Sequence, residues 1–272
     1  MKKIYRTLLK KIQFYLIKLL NLIFHRSNYK IVPSIDELKN FNFDYSEINR
    51  RLVLKNNKNK FDKIIIDTTL FRSHLCDIGR KFNTNKSPYN LNGHRSGYTG
   101  IYYLIFNNLR DKKFNFAEIG IEKNGSSKLW REFFSNANLY LFEKDTHKIE
   151  QAKKDQLKDS YYYEIDVDIN EKIKSAFQKT GKKFDIIIDD STHHFDHQIN
   201  IINNVKDFLN PGGILVIEDI FRFRKDHTEE RYFNEISKIS AEFSKIFFIE
   251  SLHTNNFTAS WNCEKLLVLI KK

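Results

Sequence analysis

The sequence predicts an α/β fold: a mostly parallel sheet of seven strands, the last of them antiparallel, preceded by an N-terminal helical extension. Three observations carry this. From residue 114 onward, short β-rich runs alternate with longer helical segments: FAEIGI, NLYLFE, YYYEID, FDIIID, GILVIED, IFFIES and LLVLIK. Such alternation reads as βαβ units with a parallel sheet. The last two runs lie too close together for a crossover helix, so they are expected as an antiparallel pair at one side. Finally, a glycine-bearing turn follows the first run, where open Rossmann-like sheets bind their ligands.

Taken from the start, residues 1–33 form the first expected element. Their 24-residue opening, MKKIYRTLLKKIQFYLIKLLNLIF, has apolar residues at helical spacing with basic ones between. Lysine and arginine exceed aspartate and glutamate by 46 − 34 = +12, and eight of those charges sit here, with no acid before Asp36. A basic amphipathic helix can dock on its own domain or on a second subunit, lie on an anionic membrane surface, or meet nucleic acid. It cannot span: the stretch Phe14 to Phe24 is too short for a hydrocarbon core of about 30 Å and is interrupted by Lys18. No small-residue cleavage site marks it as a secretory signal. Peripheral membrane contact through residues 1–30 therefore stays open beside docking.

Residues 34–75 read as a linker or cap, polar and rich in asparagine and lysine, though FDKIIID within them is a short apolar run. The main domain is expected over 76–272, beginning with a turn-rich NTNKSPYNLNGHRSG and a helical TGIYYLIFNNLR. Cys76 and Cys263 lie far apart and match no metal-ligand or redox spacing. They read as buried thiols in a reducing compartment, which places the chain in the cytoplasm, at most at the inner face of the membrane.

The segment FNFAEIGIEKNGSSKLWREFF is a strand, a turn and a helix. Glu118 and Gly120 end the strand, Gly125 lies in the turn, and Ser126 or Ser127 can cap the helix. A dinucleotide site would carry G-x-G-x-x-G here, but its middle position is Glu122, which would repel a diphosphate. A phosphate-free cofactor carrying positive charge, such as S-adenosylmethionine, is compatible with acids at this turn. The second strand ends in Glu143 with Lys144 beside it, placed to accept from ribose hydroxyls. Asp166, after the third strand, is placed for an adenine amino group. Together with Asp189 these residues form the expected cofactor set.

The fourth run leads into DDSTHHFDHQ and the fifth into ED, so both clusters belong to one edge of the sheet. Asp190, Glu218 and Asp219 can offer oxygens to a hard cation such as Mg²⁺. A histidine beside them has a pKa suited to base chemistry near neutral pH. Zinc is less favoured, because no third soft ligand accompanies the histidines.

These residues resemble the metal-dependent sugar O-methyltransferases, a class I S-adenosylmethionine-dependent group that includes macrolide-sugar and polysaccharide-cluster enzymes. The similarity spans about residues 75–270 and rests on NTNK with His94 and Tyr98, AEIGI with GSSKLW, DDSTHH with Gln198, and PGGILVIED. It implies a class I methyltransferase fold, Asp190, Glu218 and Asp219 as Mg²⁺ ligands, and His193 as the base with Asp190 at its side. It departs from the group at Ser191, where glycine is usual, and at Asn85, where aspartate is common. The implied acceptor is a hydroxyl of a nucleotide-linked or glycan-linked sugar, as in the making of a bacterial capsule or surface polysaccharide. His94, Tyr98, Arg222 and Arg224 are the expected acceptor contacts, and a homo-oligomer is expected. Nucleic acid is disfavoured, since the aromatics follow core-like runs and do not interleave with a basic patch. A non-catalytic scaffold is the other alternative, disfavoured because it has no need for clustered acids.

Overall fold

The computed structural model describes residues 53–54, 61–90, 94–221, 224–257 and 265–272. The chain divides into two compact units, Met1–Arg50 and Arg51–Lys272, and every described element belongs to the second. The basic helix expected over 1–33 and most of the expected linker lie outside the described residues.

In chain order the elements are β1 (Val53–Leu54), β2 (Asp62–Asp67), α1 (His74–Lys81), α2 (Tyr98–Phe106), β3 (Asn115–Ile119), α3 (Gly125–Phe133), β4 (Asn138–Glu143), α4 (Thr146–Lys153), β5 (Ser160–Glu164), α5 (Asn170–Thr180), β6 (Phe184–Asp189), α6 (Phe195–Val205), β7 (Leu209–Ile217), α7 (Glu229–Ile236), β8 (Phe243–Leu252) and β9 (Lys265–Lys271). Short 3₁₀ turns follow α2, α6 and α7. All seven expected strands are present, as β3 to β9. They form one sheet in the order β1-β2-β8-β9-β7-β6-β3-β4-β5.

β9 is the reversed strand, antiparallel to both β7 and β8. The expected pair β8 and β9 does form, but it is not the edge of the sheet. FDKIIID, read within a linker or cap, is strand β2 and pairs parallel to β8, and β1 adds an antiparallel strand beyond it. Successive residues of a strand point to opposite faces of the sheet, and here both faces are apolar. Ile119, Phe142, Ile187 and Leu267 meet α5, α6 and α7 on one side. Phe116, Leu141, Ile188 and Val268 meet α1, α2 and α3 on the other. Burial of both faces explains why these strands read as continuous apolar runs.

The parallel strands β3, β4, β6 and β7 all end at one edge, and backbone hydrogen bonds carry the ladder one residue past their ends. Gly120 donates to the Phe142 carbonyl at 2.8 Å, Asp190 to the Ile119 carbonyl at 2.9 Å, and Glu218 to the Asp189 carbonyl at 2.9 Å. The residues expected to do chemistry therefore start from fixed backbone positions. Among the described residues no helix is long and apolar enough to cross a membrane.

Candidate functional site

A cavity of about 810 Å³ opens at that edge. One wall is the turn after β3, with Gly120, Ile121 and Glu122, and the start of α3, with Gly125 and Ser126. Gly125, expected in the turn, opens the helix, and the N-cap is Asn124, so neither Ser126 nor Ser127 caps it. Glu143 and Lys144 at the end of β4 form the second wall, and Ile165 and Val167 after β5 line the third. Asp190, Ser191, Thr192 and His193 close it from β6, while Asn83, Thr84, Asn85, Asn90 and His94 come from the segment between α1 and α2.

Gly120 is required where it stands. Its φ is +89°, and a Cβ there would lie 2.3 Å from the Asp190 carbonyl oxygen. Its bare backbone lets the turn after β3 press against the loop after β6. Glu143 braces the same turn: one carboxylate oxygen accepts from the backbone N–H groups of Ile121 and Glu122, both at 3.3 Å. The other accepts from those of Lys144 and Asp145.

Three expected cofactor residues do not reach the cavity wall. Glu118 is fully buried beneath it, accepting from Ser126 Oγ at 2.9 Å, Ser127 Oγ at 3.3 Å and Trp130 Nε1 at 2.9 Å. Burial pushes its pKa up to about 7, with Lys86 pulling the other way. A strand alternates its side chains, and Glu118 falls on the face covered by α3, so it holds that helix against β3. Asp189 is also buried and accepts from the N–H and Oγ of Ser191; burial raises its pKa to about 6. The Asp166 carboxylate pairs with Lys144 at 2.9 Å, which lowers its pKa, while its apolar neighbours Ile165 and Val167 face the cavity.

The acids and the histidine converge. His193 Nε2 lies 3.6 Å from Asp219 Oδ2 and 4.0 Å from Asp190 Oδ1. Ligand atoms of Asp190, His193 and Asp219 all lie within 4.8 Å of one another, close enough to share a cation. His193 and Asp219 both adopt left-handed backbone, φ +57° and +55°. Non-glycine residues hold that conformation at a cost of about 1–3 kcal/mol, and such strain gathers at functional sites. Burial and the neighbouring Asp190 raise the Asp219 pKa, with His193 and Tyr98 opposing.

Glu218, the third expected metal ligand, stands outside that group. One of its oxygens accepts from Tyr102 OH at 2.5 Å and the other from Lys86 Nζ at 2.7 Å. Lys86 also donates to Asp190 Oδ2 at 2.6 Å, and its side chain is only 1% exposed. Burial alone would depress the Lys86 pKa, but Asp190, Glu218 and Glu118 together raise it above its usual value. Lys86 and Tyr102 are not legible in the sequence as site residues. NTNK stands out as a motif, but no local pattern tells that a lysine in a polar turn is swallowed by acids more than a hundred residues away.

The other expected contacts divide. His94 lines the cavity. Tyr98 is buried and donates to Asp219 Oδ1 at 2.9 Å, so it orients an acid and is not part of the cavity wall. Arg222 lies outside the described residues. Arg224, expected as an acceptor contact, pairs with Asp226 and lies over the Phe221 ring, and it is not among the residues that line the cavity. Of the remaining histidines, His197 links Thr192 Oγ1 (2.7 Å) to Asp168 Oδ1 (2.9 Å), and Asp168 in turn holds Lys144. Gln198 is buried, donates to the Glu218 carbonyl at 3.0 Å and accepts from Tyr232 OH.

Known proteins share the family and the fold of this chain. Residues 124–261, half of the chain, match the family described as a methyltransferase domain. Over 132 residues the chain is 25% identical to an 8-demethyl-8-alpha-L-rhamnosyl tetracenomycin-C 2'-O-methyltransferase of Streptomyces olivaceus, covering 45% of this chain and 33% of that protein. Among solved structures it resembles the MycE methyltransferase from the mycinamycin biosynthetic pathway in complex with Mg and SAH, with a TM-score of 0.53 and 16% identity. That likeness covers 74% of this chain and 55% of the other. The same protein with mycinamycin VI also bound gives a TM-score of 0.53 at 18% identity. The chain thus spans about a third of the curated relative and about half of the structural one. It belongs to the methyltransferase-domain family and is built on the class I, S-adenosylmethionine-dependent methyltransferase fold.

Proposed function

We propose that the chain transfers a methyl group from S-adenosylmethionine to a hydroxyl of a sugar, nucleotide-activated or glycan-linked, with His193 as the base. The observation that carries this reading is the convergence of Asp190, His193 and the buried Asp219, the first two on the wall of a cavity whose other walls are the glycine turn and Glu143. S-adenosylmethionine supplies a methyl group activated on a sulfonium. The acceptor oxygen forms a bond to that carbon as the carbon–sulfur bond breaks, and the hydroxyl proton passes to His193.

The protein's part is positional. Glu143 faces the cavity and can accept from ribose hydroxyls, Ile165 and Val167 offer an apolar wall for the adenine, and His94 faces the side left for the acceptor. Holding the partners in line supplies much of the rate enhancement of a displacement, and a placed base adds about 10²–10⁴-fold. Mg²⁺ held at Asp190 and Asp219 would supply positive charge beside the acceptor oxygen. The sugar class is supported by the rhamnosyl 2'-O-methyltransferase relative. An anionic nucleotide-sugar suits a net charge of +12. We place the reaction in the cytoplasm, in the making of a surface polysaccharide.

Calorimetric binding of S-adenosylmethionine and S-adenosylhomocysteine, with and without Mg²⁺, tests the reading, with Glu143→Ala as control. Micromolar binding that the variant loses supports it and directs the search to nucleotide-sugar acceptors. No binding under any condition would sink it.

A further inference from the structure

Four carboxylates, those of Glu118, Asp190, Glu218 and Asp219, gather under the cavity, and Lys86 brings a cation among them. Its Nζ sits 2.6 Å from Asp190 Oδ2, 2.7 Å from Glu218 Oε2 and 3.9 Å from Glu118 Oε1. The two shorter contacts are charge-assisted hydrogen bonds of ordinary length. Mg²⁺ requires its oxygens at about 2.0–2.1 Å in near-octahedral array. The ammonium therefore fills the place from which a divalent ion would bridge those same two oxygens. The other Glu218 oxygen is held by Tyr102 OH, and Asp219 Oδ1 by Tyr98 OH. Asp190 Oδ1 and Asp219 Oδ2 are left facing His193.

From this arrangement we infer that Lys86 is the built-in counter-cation of the acid cluster. It fixes Asp190 and Glu218 by charge and removes Glu218 from the divalent ligand set, so that Asp190 and Asp219, beside His193, are the carboxylates left to hold the metal. The inference rests on the proposed function only in taking a divalent ion to bind at this site. Two carboxylates leave most of an octahedral shell to water and to oxygens of the acceptor, the usual manner of Mg²⁺ in transferase sites. Metal and acceptor are then expected to strengthen each other's binding. Lys86 is a positioning residue: it touches neither the methyl group nor the acceptor oxygen and acts through the carboxylates.

Mn²⁺ serves as the probe, its free signal followed by electron paramagnetic resonance in titrations of the full-length chain. The samples are the wild type, Glu218→Gln, Asp219→Asn and Lys86→Met, each checked by circular dichroism. Glu218→Gln is expected to keep the Mn²⁺ Kd within about threefold and Asp219→Asn to weaken it about tenfold or more, since only the second removes a charged ligand oxygen. Lys86→Met is expected to tighten Mn²⁺ binding about tenfold or more, because it leaves the acids without their internal cation. Equal weakening by Glu218→Gln and Asp219→Asn would overturn the assignment. So would the absence of Mn²⁺ binding in both the wild type and a folded Lys86→Met. Should Lys86→Met fail to fold, the Glu218 and Asp219 pair decides alone. Binding of S-adenosylhomocysteine in the same wild-type sample reports separately on the methyltransferase reading, which can fail without moving the Mn²⁺ ratios.

Discussion

His193 is held by its backbone in a left-handed conformation that puts its ring toward two acids, and it stands at the cavity wall. His193→Asn is expected to lower turnover about 10²–10⁴-fold while S-adenosylhomocysteine binding stays near wild type, read by kinetics and calorimetry. Equal loss of both would assign His193 to the cofactor. Gly120→Ala places a methyl group against the Asp190 carbonyl at an unfavourable φ, so a loss of more than about 1 kcal/mol in denaturant unfolding is expected, together with weaker cofactor binding. His227 predicts a pH dependence. It is buried, its Nδ1 accepts from the Phe221 N–H, and burial lowers its pKa to about 4. An unfolded histidine titrates near 6.5, so the unfolded chain takes the proton first as pH falls. This contribution is complete above pH 6.5 and is lost between 6.5 and 4, at most about 3 kcal/mol. Asp189 works in the opposite sense, since its raised pKa favours the native state as pH falls through 6. Glu118, whose pKa burial lifts to about 7, acts in the same sense as Asp189, so the change in urea midpoint from pH 7 to pH 5 should favour the folded state more in His227→Asn than in the wild type. At this scale Asp190, His193, Asp219 and Glu143 were legible in the sequence, because each lies at, or within four residues beyond, the C-terminal end of β4, β6 or β7, the edge of the sheet where such sites form. Lys86, Tyr102 and the burial of Glu118 depend on contacts between distant segments, which no spacing records.

At the level of elements, the strands were legible because their apolar runs are short and bounded by polar turns. β4 and β6 match the runs NLYLFE and FDIIID residue for residue. β2 was legible as a run but not as a member of the sheet: its partner β8 lies about 180 residues away, and a parallel register over that distance leaves no mark in either segment. Helix α7 begins on Thr228, whose hydroxyl accepts from the Arg231 N–H at 3.3 Å, an N-cap worth about 1 kcal/mol. β9 is buried on both faces and flanked by two strands. Leu267→Ala on it should cost about 2–5 kcal/mol, measured by chemical denaturation, because the cavity it opens lies in the middle of the sheet.

For the molecule as a whole, a ligand that binds only the folded state stabilises it by mass action. S-adenosylhomocysteine at a hundredfold excess over its Kd should add about 2.7 kcal/mol, seen as a rise of several degrees in Tm. A rise absent at every concentration would remove the cavity at the β3, β4 and β6 ends as its binding place. The position of β9 bears on how such a chain is made. Residues 265–271 pair between strands drawn from 209–217 and 243–252. As the ribosome delivers the chain, β7 is finished first and keeps an open hydrogen-bonding edge until the later segment emerges. At roughly 5–20 residues per second the interval runs from a few seconds to about ten, long enough for an unpaired apolar edge to meet another nascent chain. Dependence on chaperones during synthesis, and insolubility of any product stopped before residue 265, would follow from the place of this single strand.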